Sequence, residues 1–135
     1  MALDLHGVSP LLQVYDMPTS VRFYRDQLGF EIVSHSPVLC EDYFHWVLLR
    51  LGGAELMLNT AYESNTERPS EPDLSRTAAH GDTVLYFACP DVEAAFVELR
   101  GRGVSVSTPA VAWYGMKQMN VRDPDGYFLC YQWPV

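Results

Sequence analysis

Two stretches of the chain, opening on Asp16 and Asp91 and therefore 75 residues apart, follow one order of signals, and that repetition limits the fold more than any other feature. In the first, an apolar extended run from Val8 to Tyr15 meets Asp16 and Pro18, a side-chain cap and a proline suited to the first turn of a helix. Val21, Tyr24 and Leu28 recur at helical spacing, Gly29 stands where a left-handed cap residue is wanted, and Phe30 to Val33 begin a strand. Tyr43 to Leu51 and Ala54 to Asn59 then read as a hairpin about Gly52 and Gly53, a pair fitted to a tight turn that needs positive φ. The second stretch has Thr83 to Ala88 as a strand, Asp91 as the cap, and Val92, Ala95, Phe96 and Leu99 as the apolar stripe of a helix ended by Gly101 and Gly103. A short run from Val104 to Ser107 follows, then one from Met116 to Arg122, the turn Asp123, Pro124, Asp125, Gly126, and a last strand from Tyr127 to Trp133. The fold class expected is α+β, a βαβββ unit used twice.

Between the halves, residues 61–82 are polar and hold Pro69 and Pro72. A mobile linker and a lid or dimer-contact segment are both open readings of so long a connection. A chain of 135 residues, 48% apolar, makes one domain, divided as 1–60, the linker 61–82, and 83–135. Seventeen acids against nine bases give a formal charge of −8, and the longest basic grouping is Arg100 with Arg102, so nucleic acid is not an expected partner. The opening MALDLHGV carries Asp4 and no Lys or Arg, and no apolar run approaches the roughly 20 residues of a membrane span. Neither targeting nor membrane association is expected. Cys40, Cys89 and Cys130 are an odd set with no close pair, which argues against a disulfide framework or zinc knuckle and fits a reducing, cytoplasmic location.

The pattern D-x-P-x-S-x-x-F-Y-x-x-x-L-G-F (Asp16, Pro18, Ser20, Phe23, Tyr24, Leu28, Gly29, Phe30) resembles the vicinal oxygen chelate superfamily of glyoxalases, extradiol dioxygenases and bleomycin resistance proteins. Pro90-Asp91-Val92, Gly103, and Tyr114-Gly115-Met116 leading to Val121-Arg122-Asp123-Pro124-Asp125-Gly126-Tyr127 resemble that family's closing segment. The resemblance implies an open, curved, eight-stranded cup with helices on its convex side and a ligand on its concave side. It implies also that the modules pair within one chain or are completed across a two-fold axis, so a homodimer is expected. Strand parity then turns Leu12 and Val14 to the helix and Ser9, Leu11 and Gln13 to the cup, with Val84, Tyr86, Ala88, Phe128, Cys130 and Gln132 from the second module.

Metal-using members of that family take one ligand, commonly His or Glu, from each of four strands. Counting from the capping acids and the closing turn places those positions at Ser9, Glu55, Val84 and Cys130, so one conventional ligand of four survives, beside a thiol. His6 and His80 lie about 10 and 13 Å along their strands from Ser9 and Val84, too far without a change of register, and His35 and His45 sit in strand-like runs of the first half. A two-residue turn at Gly52-Gly53 would pair Arg50 with Glu55, Leu48 with Met57 and Trp46 with Asn59, giving Glu55 a cross-strand partner that competes with any cation. Glu55 is thus open to three roles: structural pair, ligand-binding carboxylate, and metal ligand or base. Trp46, Tyr86, Trp113 and Tyr114 are candidates to hold a planar or cationic molecule, with core packing the plainer role for any one of them. Cys130 reads as an inert thiol and Asp123 to Gly126 as a turn rather than a calcium loop.

The reading that results is a binding protein that holds a planar or cationic small molecule in the concave cup, its acidic surface steering cations, with no cofactor expected and a divalent metal in an unusual ligand set left open. Its expected site comprises Gln13, Trp46, Leu48, Arg50, Glu55, Met57, Tyr86, Trp113, Tyr114 and Cys130. The competing reading is an enzyme, either a metal-dependent lyase or dioxygenase or a metal-free isomerase or lyase with Glu55 as base.

Overall fold

The structure, a computed structural model, describes residues 2–62, 64 and 66–135; Met1, and Glu63 and Asn65 of the expected linker, lie outside the described residues. Strand β1 (Leu11–Val14) leads into helix α1 (Met17–Arg22), which runs on through a wider π turn, Phe23–Gln27. Asp16 caps the helix by accepting from the Thr19 amide at 3.3 Å, and Gly29 takes a φ of 90° at its end. Strands β2 (Glu31–His35), β3 (Trp46–Leu51) and β4 (Ala54–Thr60) complete a sheet of order β1-β4-β3-β2, with β1 parallel to β4 and the rest antiparallel. Leu51 stands opposite Ala54 and Gly52 has a φ of 57°, so the hairpin does close in two residues.

The segment 61–82 carries a helix that the sequence reading lacks, α2 (Leu74–Ala79), capped by Asp73, then a tight turn over His80–Asp82. Residues 66–82 lie as a strap on the corner between β1 and α1. Arg68 pairs with Asp16 at 2.5 Å and covers the Tyr15 ring at 4.8 Å, and the Tyr15 hydroxyl donates to the Pro69 carbonyl at 2.6 Å.

The second module repeats the first with β5 (Val84–Ala88), α3 (Val92–Gly101), β6 (Ala110–Val111), β7 (Met116–Arg122) and β8 (Phe128–Pro134), in the order β5-β8-β7-β6. Val104 to Ser107 do not form the expected strand. Val106 makes one isolated bridge to Val121, and Pro109, which has no N–H, precedes the two-residue β6 that is the actual edge. The eight strands lie in two separate, open four-stranded sheets.

Leu12, Val14, Val47, Leu49, Leu56 and Leu58 bury one face of the first sheet, and Met119, Val121, Leu129 and Tyr131 one face of the second. These join Val21 of α1, Tyr24 of the π turn and Val92 and Leu99 of α3 in one core, where Phe30 meets Phe87 across the modules at 6.0 Å. The helix-side faces are therefore spent on the core, and the helix-free faces of both sheets open to solvent.

A polar latch joins the modules at the β7–β8 turn. Asp125 accepts from the Tyr15 amide at 2.7 Å and the Ser20 hydroxyl at 3.0 Å, and Asp123 accepts from the Tyr24 hydroxyl at 2.7 Å. The Tyr127 hydroxyl accepts from the Gln13 amide at 3.1 Å, beneath a His80 ring stacked on it at 4.1 Å. The turn foreseen here is present, with the Gly126 amide donating to the Asp123 carbonyl at 3.1 Å, but its acids point into the molecule.

Candidate ligand-binding site

Residues two apart on a strand share a face, so the helix-free faces can be read off the register. On the first sheet that face carries Gln13, Trp46, Leu48, Arg50, Glu55 and Met57, all six candidates that the sequence assigns to this module. The foreseen pairs Arg50 with Glu55, Leu48 with Met57 and Trp46 with Asn59 are the observed ones. Arg50 reaches one oxygen of Glu55 twice, Nη2 to Oε2 at 2.8 Å and Nε to the same Oε2 at 3.2 Å. Glu31 stands across from Arg50 on β2, so the row reads Glu31, Arg50, Glu55 with the cation between two carboxylates.

The second sheet presents three such rows. Val84, Phe128 and Arg122 form one, Tyr86, Cys130 and Asn120 the next, and Ala88, Gln132 and Gln118 the third. Tyr86 is 57% exposed in the middle row, beside the buried Cys130. Burial raises the Cys130 thiol above its usual range, so it is an unreactive surface for packing. The Gln118 amide nitrogen donates to the Gln132 side-chain oxygen at 2.8 Å and to the Tyr114 hydroxyl at 2.6 Å. Tyr114 thus joins this face from the loop before β7. Trp113, 95% exposed, stacks edge-on against the Tyr114 ring at 5.3 Å and is held by little else.

A metal does not fit the four expected positions. Ser9 and Val84 offer a neutral hydroxyl and an alkyl group, Cys130 is a buried thiol, and Glu55 is engaged by Arg50. The Ser9 Oγ has no partner among the described residues, but a lone hydroxyl brings no charge to a divalent ion. Among the described residues no three His, Cys, Asp or Glu side chains gather as a metal set. The histidines have other bonds: His6 to Asp4, His35 to the Ser36 carbonyl, His45 to the Thr60 hydroxyl, and His80 to the Asp125 carbonyl.

The candidates thus fall in two groups on two sheets, not in one enclosed cavity. The hollow between the start of α3 and the end of β8 holds about 150 Å³, against roughly 300–1,000 Å³ for a small-molecule pocket, and lies off both helix-free faces. Sequence reasoning left out Glu31 and the helix-free side of β7, Gln118, Asn120 and Arg122. The signal was available, since 116, 118, 120 and 122 alternate through a run already read as a strand.

The fold superposes on those of several solved proteins. TnmS3, an antibiotic binding protein from Streptomyces sp. CB03234, superposes with a TM-score of 0.69 at 23% identity, over 99% of this chain and 100% of that one. A bleomycin-binding protein complexed with bleomycin gives 0.69 at 16% identity, over 97% and 100% of the two chains. A bleomycin resistance determinant encoded on the transposon Tn5 gives 0.69 at 17%, over 96% and 98%. At these identities the likeness establishes fold alone, and a search of curated proteins found no match. No helix among the described residues is long and apolar enough to cross a membrane. Residues 6–131, nearly the whole chain, match the sequence model of one family, and the protein belongs to the Glyoxalase/Bleomycin resistance protein/Dioxygenase superfamily.

Proposed function

We propose that this protein binds a planar small molecule without a metal or other cofactor, between the helix-free face of the first sheet of one copy and that of the second sheet of another. The observation that carries the reading is the exposure of apolar and aromatic strand surface that a chain with one closed core would cover: Tyr86 is 57% and Leu11 46% exposed. A two-fold axis applying first sheet to second sheet makes two equivalent cups and leaves no open repeat. Tyr86, Trp46 and Tyr114 supply flat surface for stacking, and Leu48, Met57 and Cys130 supply apolar floor. The likeness to antibiotic-binding and bleomycin-binding proteins supports the same class of ligand.

The test is titration with bleomycin and a panel of planar aromatic antibiotics, followed by tryptophan fluorescence and by recovery of the compound. Saturable binding that Trp46→Ala weakens, with the compound recovered unchanged and no thermal shift from added zinc, manganese or nickel, is expected. Conversion of a bound compound, a metal-dependent thermal shift, or the failure of every compound to saturate would overturn the reading.

A further inference from the structure

The chain carries a formal charge of −8, yet the helix-free face of its second sheet holds no carboxylate at all. Val84, Phe128, Tyr86, Cys130, Ala88 and Asn120 are uncharged, and the one charged side chain in the three rows is Arg122. Its guanidinium lies over the Phe128 ring at 5.4 Å and, unlike Arg50, has no carboxylate within salt-bridge distance among the described residues. The opposite end of β7 is polar but neutral. Because Gln118 spends its amide hydrogens on Gln132 and Tyr114, the groups left to a ligand are the Gln118 carbonyl, the Gln132 amide hydrogens and the Tyr114 hydroxyl hydrogen. Gln118 and Arg122 are four residues apart on one strand, about 13 Å between their backbones.

Resting on the binding reading above, we infer that this face selects by charge: it takes a flat ligand with an anionic group directed at Arg122 and a carbonyl or hydroxyl edge directed at Gln132, Gln118 and Tyr114. Among the described residues the acids lie off this face, in the N-terminal segment, the latch, the helices and their caps, the β2–β3 connection, the strap and the Glu31–Arg50–Glu55 row of the first sheet, where Arg50 offsets one of the two carboxylates. A cationic ligand would meet Arg122 with no compensating carboxylate on this sheet. An anionic ligand gains a charge-assisted hydrogen bond there, roughly twice as strong as a neutral one.

The experiment uses three matched tricyclic probes, an acridone carboxylate, the corresponding carboxamide and the corresponding aminomethyl compound, each titrated into the full chain at low salt. The order expected is carboxylate tightest, then carboxamide, then ammonium, with Arg122→Gln weakening the carboxylate by about tenfold and the carboxamide by less than about threefold. Arg122 and Tyr86 are both exposed, so Arg122→Gln and Tyr86→Ala should leave the core intact. Preference for the ammonium probe, or a carboxylate affinity indifferent to Arg122→Gln, overturns the charge inference alone, provided Tyr86→Ala still weakens every probe. Saturation by none of the three overturns the binding reading and the inference with it.

Discussion

Asp123 is 5% exposed and pairs with no cation among the described residues, and its charge is stabilised by three hydrogen bonds, from the Tyr24 hydroxyl at 2.7 Å and the Asp125 and Tyr127 amides at 2.9 Å each. Burial outweighs those bonds and pushes its carboxyl from 3.8 up to about 6, and Asp125 moves the same way for the same reason. A folded value above the unfolded one means that the stability tied to this proton is present in full below about pH 3.8 and is lost as the pH rises through about 6. The loss is on the order of 3 kcal/mol. Replacing Asp123 by Asn keeps an acceptor for the two amides and turns an amide toward Tyr24, whose hydroxyl can accept instead. Asp123→Asn should therefore gain on the parent as the pH rises from about 4 to 7, read as the difference between their melting temperatures. A difference that runs the other way would show the hydrogen bonds to be the stronger effect. Glu55 is a contrasting case: its pair with Arg50 is one-third to half exposed, and such pairs are worth at most about 1 kcal/mol. Glu55→Gln should shift the denaturation midpoint by no more than that, and a larger loss would assign the carboxylate a structural weight its exposure does not suggest.

At the scale of elements, what was legible in the sequence is what local chemistry decides. Asp16 with Pro18, Asp91, and Gly52-Gly53 each mark an element through their own caps and turns, and the foreseen cross-strand pairs of β3 and β4 followed from a turn of known length. Two elements escaped for physical reasons. Helix α2 has no buried residue, so no apolar stripe announces it, and β6 is a two-residue edge set by the ladder of β7 after Pro109 breaks the earlier run. The role of the Asp123–Gly126 turn is likewise tertiary, because nothing local shows that Tyr24, Ser20 and the strap converge on it. Gly126 records that convergence: its φ is 90°, and a Cβ there would lie 2.3 Å from the Thr77 carbonyl oxygen of α2. Gly126→Ala should cost at least about 2 kcal/mol and, because the clash falls on the strap, should raise hydrogen exchange and proteolysis across residues 66–82 first. Uniform loss of protection over both sheets would instead mean that the strap and core unfold as one unit.

The whole molecule is arranged so that its interior and its proposed ligand surface compete for nothing. Each sheet spends its buried face on a common core shared with α1 and α3, which leaves the other two faces outward, each one half of the proposed cup. That geometry explains why the candidate residues foreseen from sequence are correctly faced and yet not gathered: parity fixes which side of a strand a residue takes, but which sheet it meets is decided between modules, or between copies, by contacts no strand encodes. If two copies complete the cups, ligand number and oligomeric state must move together. A dimer in sedimentation, binding two probe molecules, is the expected result at micromolar chain concentration. Tyr86→Glu, placing a charge in the middle row of the second sheet, should disrupt the dimer and abolish binding in the same variant while its melt stays cooperative, since Tyr86 takes no part in the core. A monomer that binds one probe at full affinity would place the ligand on a single sheet face instead, and in that case the open surface around Tyr86 is the entire site.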